Sequence, residues 1–242
     1  MGCRRIPGSP RENTQTSEGK LACAIAAIVK SHGRIDVLLN NAGVMNVGVT
    51  EAFSSAELQA QFDINTFGPA RTIRAVLPPM RAQGSGLLVS VSSLAGRTIF
   101  PFFGAYCASK FALEALAEVY QYELSGLGID SVIVEPGPFP SGLLTKSPSP
   151  SNKAVVVAYG DLVKIQEAMK AGFQSMYDSA DPPRAEDVSD ATIVKLIEQT
   201  GKRPLRTVVV PRDMDLGVEK LNAGVTEVQN ALLKTMQFAS MI

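Results

Sequence analysis

The sequence predicts an α/β chain, a parallel sheet with helices on both faces. Short apolar runs at residues 35–39, 87–91 and 129–135 alternate with longer helical patterns, and each parallel crossover requires such a helix. Composition agrees. Nine apolar residue types make up 45% of the 242 residues and charged types only 19%, below the roughly 25% of an average globular chain, so much of the sequence is destined for an interior. Disorder and coiled coil are thereby excluded, and the length suits one large domain or two small ones.

Residues 1–16 are rich in Arg, Pro, Gly and polar types without periodicity and are expected to form a disordered leader. Arg4 and Arg5 ahead of the apolar run 21–29 would suit a secretory signal, but polar residues 11–20 separate the two. Leu21, Ile25, Ile28 and Val29 instead form the stripe of an amphipathic helix over 17–31, stopped by His32 and Gly33. The strand 35–39 follows. Helical pattern resumes over 54–81, with Ser55 and Glu57 as start signals and Pro78-Pro79 as a break. A strand at 87–91, a helix at 105–124 stopping near Gly126 and Gly128, and a strand at 129–135 come next, the last ended by Pro136-Gly137-Pro138. Residues 138–183 carry many Pro, Ser and Gly and one helical pattern near 155–176, and read as an insertion outside the sheet. A helix over 185–199, a strand over 206–210 and a helix over 216–238 complete a single domain spanning 17–242.

Several function classes drop out at this stage. The 23 Lys and Arg balance 23 Asp and Glu, so no long-range field pulls on phosphate backbones or anionic lipid, and no nucleic-acid partner is expected. No stretch reaches the roughly 18 apolar residues of a membrane span. Three cysteines, none in a CxxC pair, supply neither a disulfide framework nor a zinc site, which favours a reducing, cytoplasmic compartment. The single histidine, His32, leaves no HExxH metal site, and no metal is expected.

Ligands of an open parallel sheet bind beyond the carboxyl ends of its strands. The residues that follow the strands are Asn40-Asn41-Ala42-Gly43, then Ser92-Ser93, then Pro136-Gly137. All should line one crevice. Tyr106 and Lys110 stand four apart at the start of the next helix, which puts a phenol and an ammonium on one helical face. An adjacent ammonium stabilises phenolate and would bring the phenol from its reference pKa near 10 toward the working range. Ser92 or Ser93 would hydrogen-bond a substrate oxygen where charge develops.

Together these motifs resemble the classical short-chain dehydrogenases/reductases. Asn-Asn-Ala-Gly at 40–43, Asn65 in Asp-Ile-Asn-Thr, Ser93 thirteen residues before Tyr106, Tyr-Cys-Ala-Ser-Lys at 106–110 and Pro136-Gly137 occur in the family's order over most of residues 33–242. The resemblance implies a Rossmann-like doubly wound sheet and NAD(P)-dependent interconversion of an alcohol and a carbonyl by hydride transfer. It implies Ser93, Tyr106, Lys110 and Asn65 as the catalytic set, Tyr106 being the acid/base and Asn65 holding a water that connects the lysine to solvent. Asn40, Asn41, Ala42, Gly43, Tyr106, Lys110, Pro136, Gly137, Phe139 and Ser141 would contact NAD or NADP. The partner would be a small alcohol or carbonyl compound, and the family tilts the expectation toward a homo-oligomer.

One departure stands out. No Gly-rich turn follows a strand, although the family holds the cofactor diphosphate on one. The expectation is therefore a Rossmann-like domain lacking its first strands, in which the strand at 35–39 becomes an exposed edge. The alternative to an oxidoreductase is a truncated, non-catalytic remnant or a partner-binding protein that keeps the motifs.

Overall fold

The computed structural model describes residues 18–238 except 200 and 213; the expected leader lies outside the described residues. Helix α1 (Glu18–His32) leads into strand β1 (Val37–Asn40). Helix α2 (Ser55–Phe62) passes through a π-helical turn, Asp63–Phe67, into α3 (Gly68–Gln83), which returns the chain to β2 (Gly86–Val91). Helix α4 (Gly104–Leu124) and β3 (Ile129–Pro136) repeat the plan. The insertion forms α5 (Gly142–Thr145), α6 (Lys153–Ala158) and α7 (Leu162–Tyr177). Helix α8 (Glu186–Thr192) with a π-helical turn, β4 (Arg206–Val209) and α9 (Val218–Thr235) follow.

The four strands pair in parallel in the order β1-β2-β3-β4, in register at Val37 with Leu87, Val89 with Val132 and Val134 with Thr207. Because successive side chains leave a strand on opposite faces, the apolar runs feed two cores. Leu88 and Ile129 pack with Ile73, Val76 and Met80 of α3 on one face, and Leu87, Val89, Val132 and Val134 pack with Phe139 and Leu196 on the other. Among the described residues β1 lies at the sheet's edge, with Leu39 48% exposed.

Local chemistry explains the element ends and corrects three expectations. Helix α2 starts at Ser55, within a residue of the expected start: Ser54 caps it, accepting from Glu57 N, while the Glu57 carboxylate accepts from Ser54 N at 2.7 Å. Pro78 and Pro79 do not break α3, which runs on to Gln83 and ends at Gly84 with φ 66°. The last turn buries Leu77 and Met80 in the core, and that burial offsets the missing N–H groups, which fall close to a helix end. The helix expected over 155–176 is split instead, because Gly160 adopts φ 52° between α6 and α7. Cys107 is a free, buried thiol, and Cys23 is disulfide-bonded, a cross-link that the count of three cysteines did not foresee.

A third apolar cluster sits beyond the carboxyl ends of the strands, where Met45, Val47, Phe103 and Tyr106 meet Leu143, Leu144 and Phe173 of the insertion. Polar ties hold the insertion there. Ser151 donates from N (3.1 Å) and Oγ (2.7 Å) to Glu57, and the Tyr159 hydroxyl donates to Glu51 at 2.8 Å.

Candidate active site

Three strand ends and one helix start converge on the site. The loop after β2 places Ser93 at the start of a 3-10 turn, with its Oγ accepting from Ala95 N at 3.1 Å. The first turns of α4 place Tyr106 and Lys110 on one face, both about 95% buried. The Ser93 and Tyr106 side chains line the same two cavities. Lys110 Nζ lies 5.8 Å from the centre of the Tyr106 ring and donates to Val91 O at 2.8 Å.

Electrostatics here differ from the sequence expectation. Burial pushes the Tyr106 phenol up to about 12, against a smaller downward pull from Ser93. The Lys110 ammonium points to the β2 carbonyl, so it does not counter that burial. Burial also brings Lys110 down to about 8, opposed by the nearby Glu114 carboxyl.

Asn65, 1% exposed in the π-helical turn, spends its side chain on structure. Its Nδ2 donates to Val44 O (2.8 Å) and Ser109 Oγ (3.0 Å), and its Oδ1 accepts from Val44 N (2.9 Å). Both amide hydrogens are thus used, and the residue clamps the loop after β1 to α4. Asn40 faces away from the cleft: it is buried and its Oδ1 accepts from Thr72 Oγ1 at 2.6 Å. Asn41, Ala42 and Gly43 do line the cleft, as do Pro136, Gly137, Phe139 and Ser141. Phe139 also belongs to the core cluster beneath it, and Ser141 caps α5, accepting from Leu143 N at 3.3 Å.

Two cavities meet at these residues. A cleft of about 840 Å³ runs past Asn41, Gly43 and Lys110, and a smaller cavity of about 320 Å³ lies under the insertion. Ser93, Tyr106, Pro136 and Gly137 line both. The hydroxyl pair therefore stands in the shared wall.

Beneath the site lies a charged cluster that the sequence reading missed. Arg206 Nε is 3.0 Å from Glu114 and 3.2 Å from Glu135, and its terminal nitrogen is 2.6 Å from Glu118. Asn222 donates to Glu135 at 2.6 Å and accepts from Arg97 at 2.7 Å. Burial raises the Glu114 carboxyl, and burial with the charge of Glu114 pushes Glu135 up to about 7. Glu114 stands four residues beyond Lys110 and eight beyond Tyr106, a helical spacing that would have signalled its shared face. Gly96 makes room for the cluster, since a Cβ there would lie 2.5 Å from Ser92 Oγ and 2.9 Å from Glu114 Cγ. Among the described residues no group of His, Cys, Asp and Glu could hold a metal, and no helix is long and apolar enough to cross a membrane.

Known proteins resemble this chain in sequence and fold. A short-chain dehydrogenase from Streptomyces avermitilis has a similar structure, with a TM-score of 0.63 and 33% identity over 93% of this chain and 77% of that one. A gluconate 5-dehydrogenase from Burkholderia cenocepacia in complex with NADP and an NAD+-bound xylitol dehydrogenase align at TM-scores of 0.52 and 0.51, with 26% and 30% identity. The former covers 54% of this chain and 51% of its own, the latter 53% and 50%. Human retinol dehydrogenase 8 is 44% identical over 106 residues, 44% of this chain and 34% of that protein. The chain spans about half the length of the curated relatives it matches. A family model described as short chain dehydrogenase matches residues 12–152, more than half of the sequence, and the chain belongs to that family of oxidoreductases.

Proposed function

We propose that the chain interconverts an alcohol and a carbonyl compound with NAD or NADP, using Tyr106 as acid/base. One observation carries this reading: the Ser93 and Tyr106 hydroxyls stand in the wall shared by the polar cleft and the smaller cavity, with Lys110 on the cleft side. The cleft residues fit the nicotinamide and ribose end of such a cofactor. Gly43 keeps the loop flush, because a Cβ there would lie 3.3 Å from Asn65 Oδ1 and 3.8 Å from Lys110 Nζ. Lys110 has two N–H groups beyond its bond to Val91 O, and these would meet ribose hydroxyls. Asn41, Ala42, Pro136 and Gly137, which line the same cleft, would hold the nicotinamide.

A bound nicotinamide would supply the hydride chemistry, donating to a carbonyl carbon or accepting from an alcohol carbon. The chain supplies the proton chemistry. Ser93 Oγ–H donates to the substrate oxygen and stabilises charge developing on it. Tyr106 gives its phenolic proton to that oxygen in reduction and takes it back in oxidation. With its phenol pushed up to about 12, Tyr106 is protonated at neutral pH, the form that serves carbonyl reduction. The test is Tyr106→Phe, which removes the proton and little of the binding surface. Turnover should fall by about 10²–10⁴-fold with cofactor affinity nearly unchanged; unchanged turnover would remove Tyr106 from the mechanism.

A further inference from the structure

The smaller cavity limits what the reacting oxygen can be attached to. Its floor is Met45, Phe100 and Phe103, and its roof is Leu143, Leu144 and Phe173 of the insertion. No charged side chain and no carboxamide is found among the described residues that line it. Four hydroxyls are present. Ser93 and Tyr106 are committed to the reacting oxygen, which leaves Tyr177 and Ser141, whose Oγ accepts from Leu143 N at 3.3 Å and keeps its own hydrogen. A hydroxy acid would bring a carboxylate with no cation on these walls to meet it, and a polyol would bring several hydroxyls to walls that offer two further side-chain hydroxyls. The volume of about 320 Å³ is at the lower end of the roughly 300–1,000 Å³ of pockets that take small molecules, so a small hydrocarbon skeleton fits against these walls.

We propose that the substrate is an apolar mono-alcohol or the matching ketone, its hydrocarbon skeleton buried under the insertion and its single oxygen held at Ser93 and Tyr106. This rests on the reaction proposed above and deepens it. Burial of each added methylene should raise kcat/KM about fourfold until the cavity is full. Each extra hydroxyl left without a partner should lower it about tenfold or more.

The experiment presents the purified chain, with NAD+ and NADP+ in turn, with 2-butanol, 2-hexanol, 2-octanol, xylitol and lactate. The expected result is a rise along the alcohols, with xylitol and lactate well below 2-octanol. Turnover of xylitol or lactate equal to or above that of 2-octanol would overturn the proposal and leave the reaction class intact. Binding of 2-pentanone and 2-nonanone, followed by calorimetry without turnover, separates the two failures. If no alcohol reacts but 2-nonanone binds much more tightly than 2-pentanone, the reaction class fails and the apolar site stands. Equal or absent binding of the two ketones overturns the site. Leu144→Asp should abolish the chain-length dependence; its persistence would also count against the cavity.

Discussion

Replacing Arg206 by Met tests the charged cluster beneath the site. The guanidinium, whose side chain is 5% exposed, lies within 3.2 Å of Glu114, Glu118 and Glu135, and joins β4 to α4 and β3. Methionine keeps much of the volume and removes the cation, leaving buried carboxylates facing one another. Removing one partner of a buried ion pair costs about 3–5 kcal/mol. At about 2–4 °C per kcal/mol for a chain of this size, the melting temperature should fall by about 6–20 °C near pH 8. The pH dependence gives a second reading. Glu135, raised by burial and Glu114 to about 7, contributes stability that is full below the unfolded carboxyl value and lost as pH rises through about 7. Without Arg206 both Glu114 and Glu135 rise further, so the variant's deficit should shrink by about half or more near pH 5.5, where these groups take up protons. Thermal unfolding followed by circular dichroism at the two pH values measures both effects. If Arg206→Met does not fold near pH 8, adding Glu114→Gln and Glu135→Gln should restore a cooperative transition. A deficit below about 1 kcal/mol at both pH values, the worth of a surface pair, would refute the reasoning.

Two further substitutions test the packing around the site. Leu88→Ala empties a fully buried position between β2 and α3 and should cost about 2–5 kcal/mol in urea unfolding; a cost below about 1 kcal/mol would place the core elsewhere. Gly96→Ala brings a methyl against Ser92 and Glu114, which should cost about 1–3 kcal/mol and weaken turnover by displacing the loop that carries Ser93. A neutral Gly96→Ala would show that the loop yields without consequence.

Much of this was legible in the sequence where the determinants are local. Apolar runs bounded by Gly and Pro marked every strand, and the four-residue spacing of Tyr106 and Lys110 placed them together whatever surrounds them. Topology did the rest, since residues after parallel strands gather on one side, which brought Ser93 to Tyr106. Properties set by distant contacts were not legible. The persistence of α3 through Pro78-Pro79 depends on Leu77 and Met80 finding Leu88 and Ile129. The direction of Asn40 depends on Thr72, and the partners of Arg206 come from two other elements. The Tyr106 shift reverses the expected direction because burial is a property of the whole fold, whereas the Tyr–Lys spacing is a property of one helix.

The central claim is that the cleft beside Tyr106 and Lys110 takes the nicotinamide end of a dinucleotide. Titrating the purified chain with NADH and with NADPH, read by dihydronicotinamide emission, tests it most directly, and the chain has no tryptophan to add energy transfer to that emission. The account predicts saturable enhancement with at least one of the two, and a weaker midpoint in Gly43→Val, whose side chain would crowd Asn65 and Lys110. Emission that stays linear up to millimolar concentrations of both cofactors would contradict it.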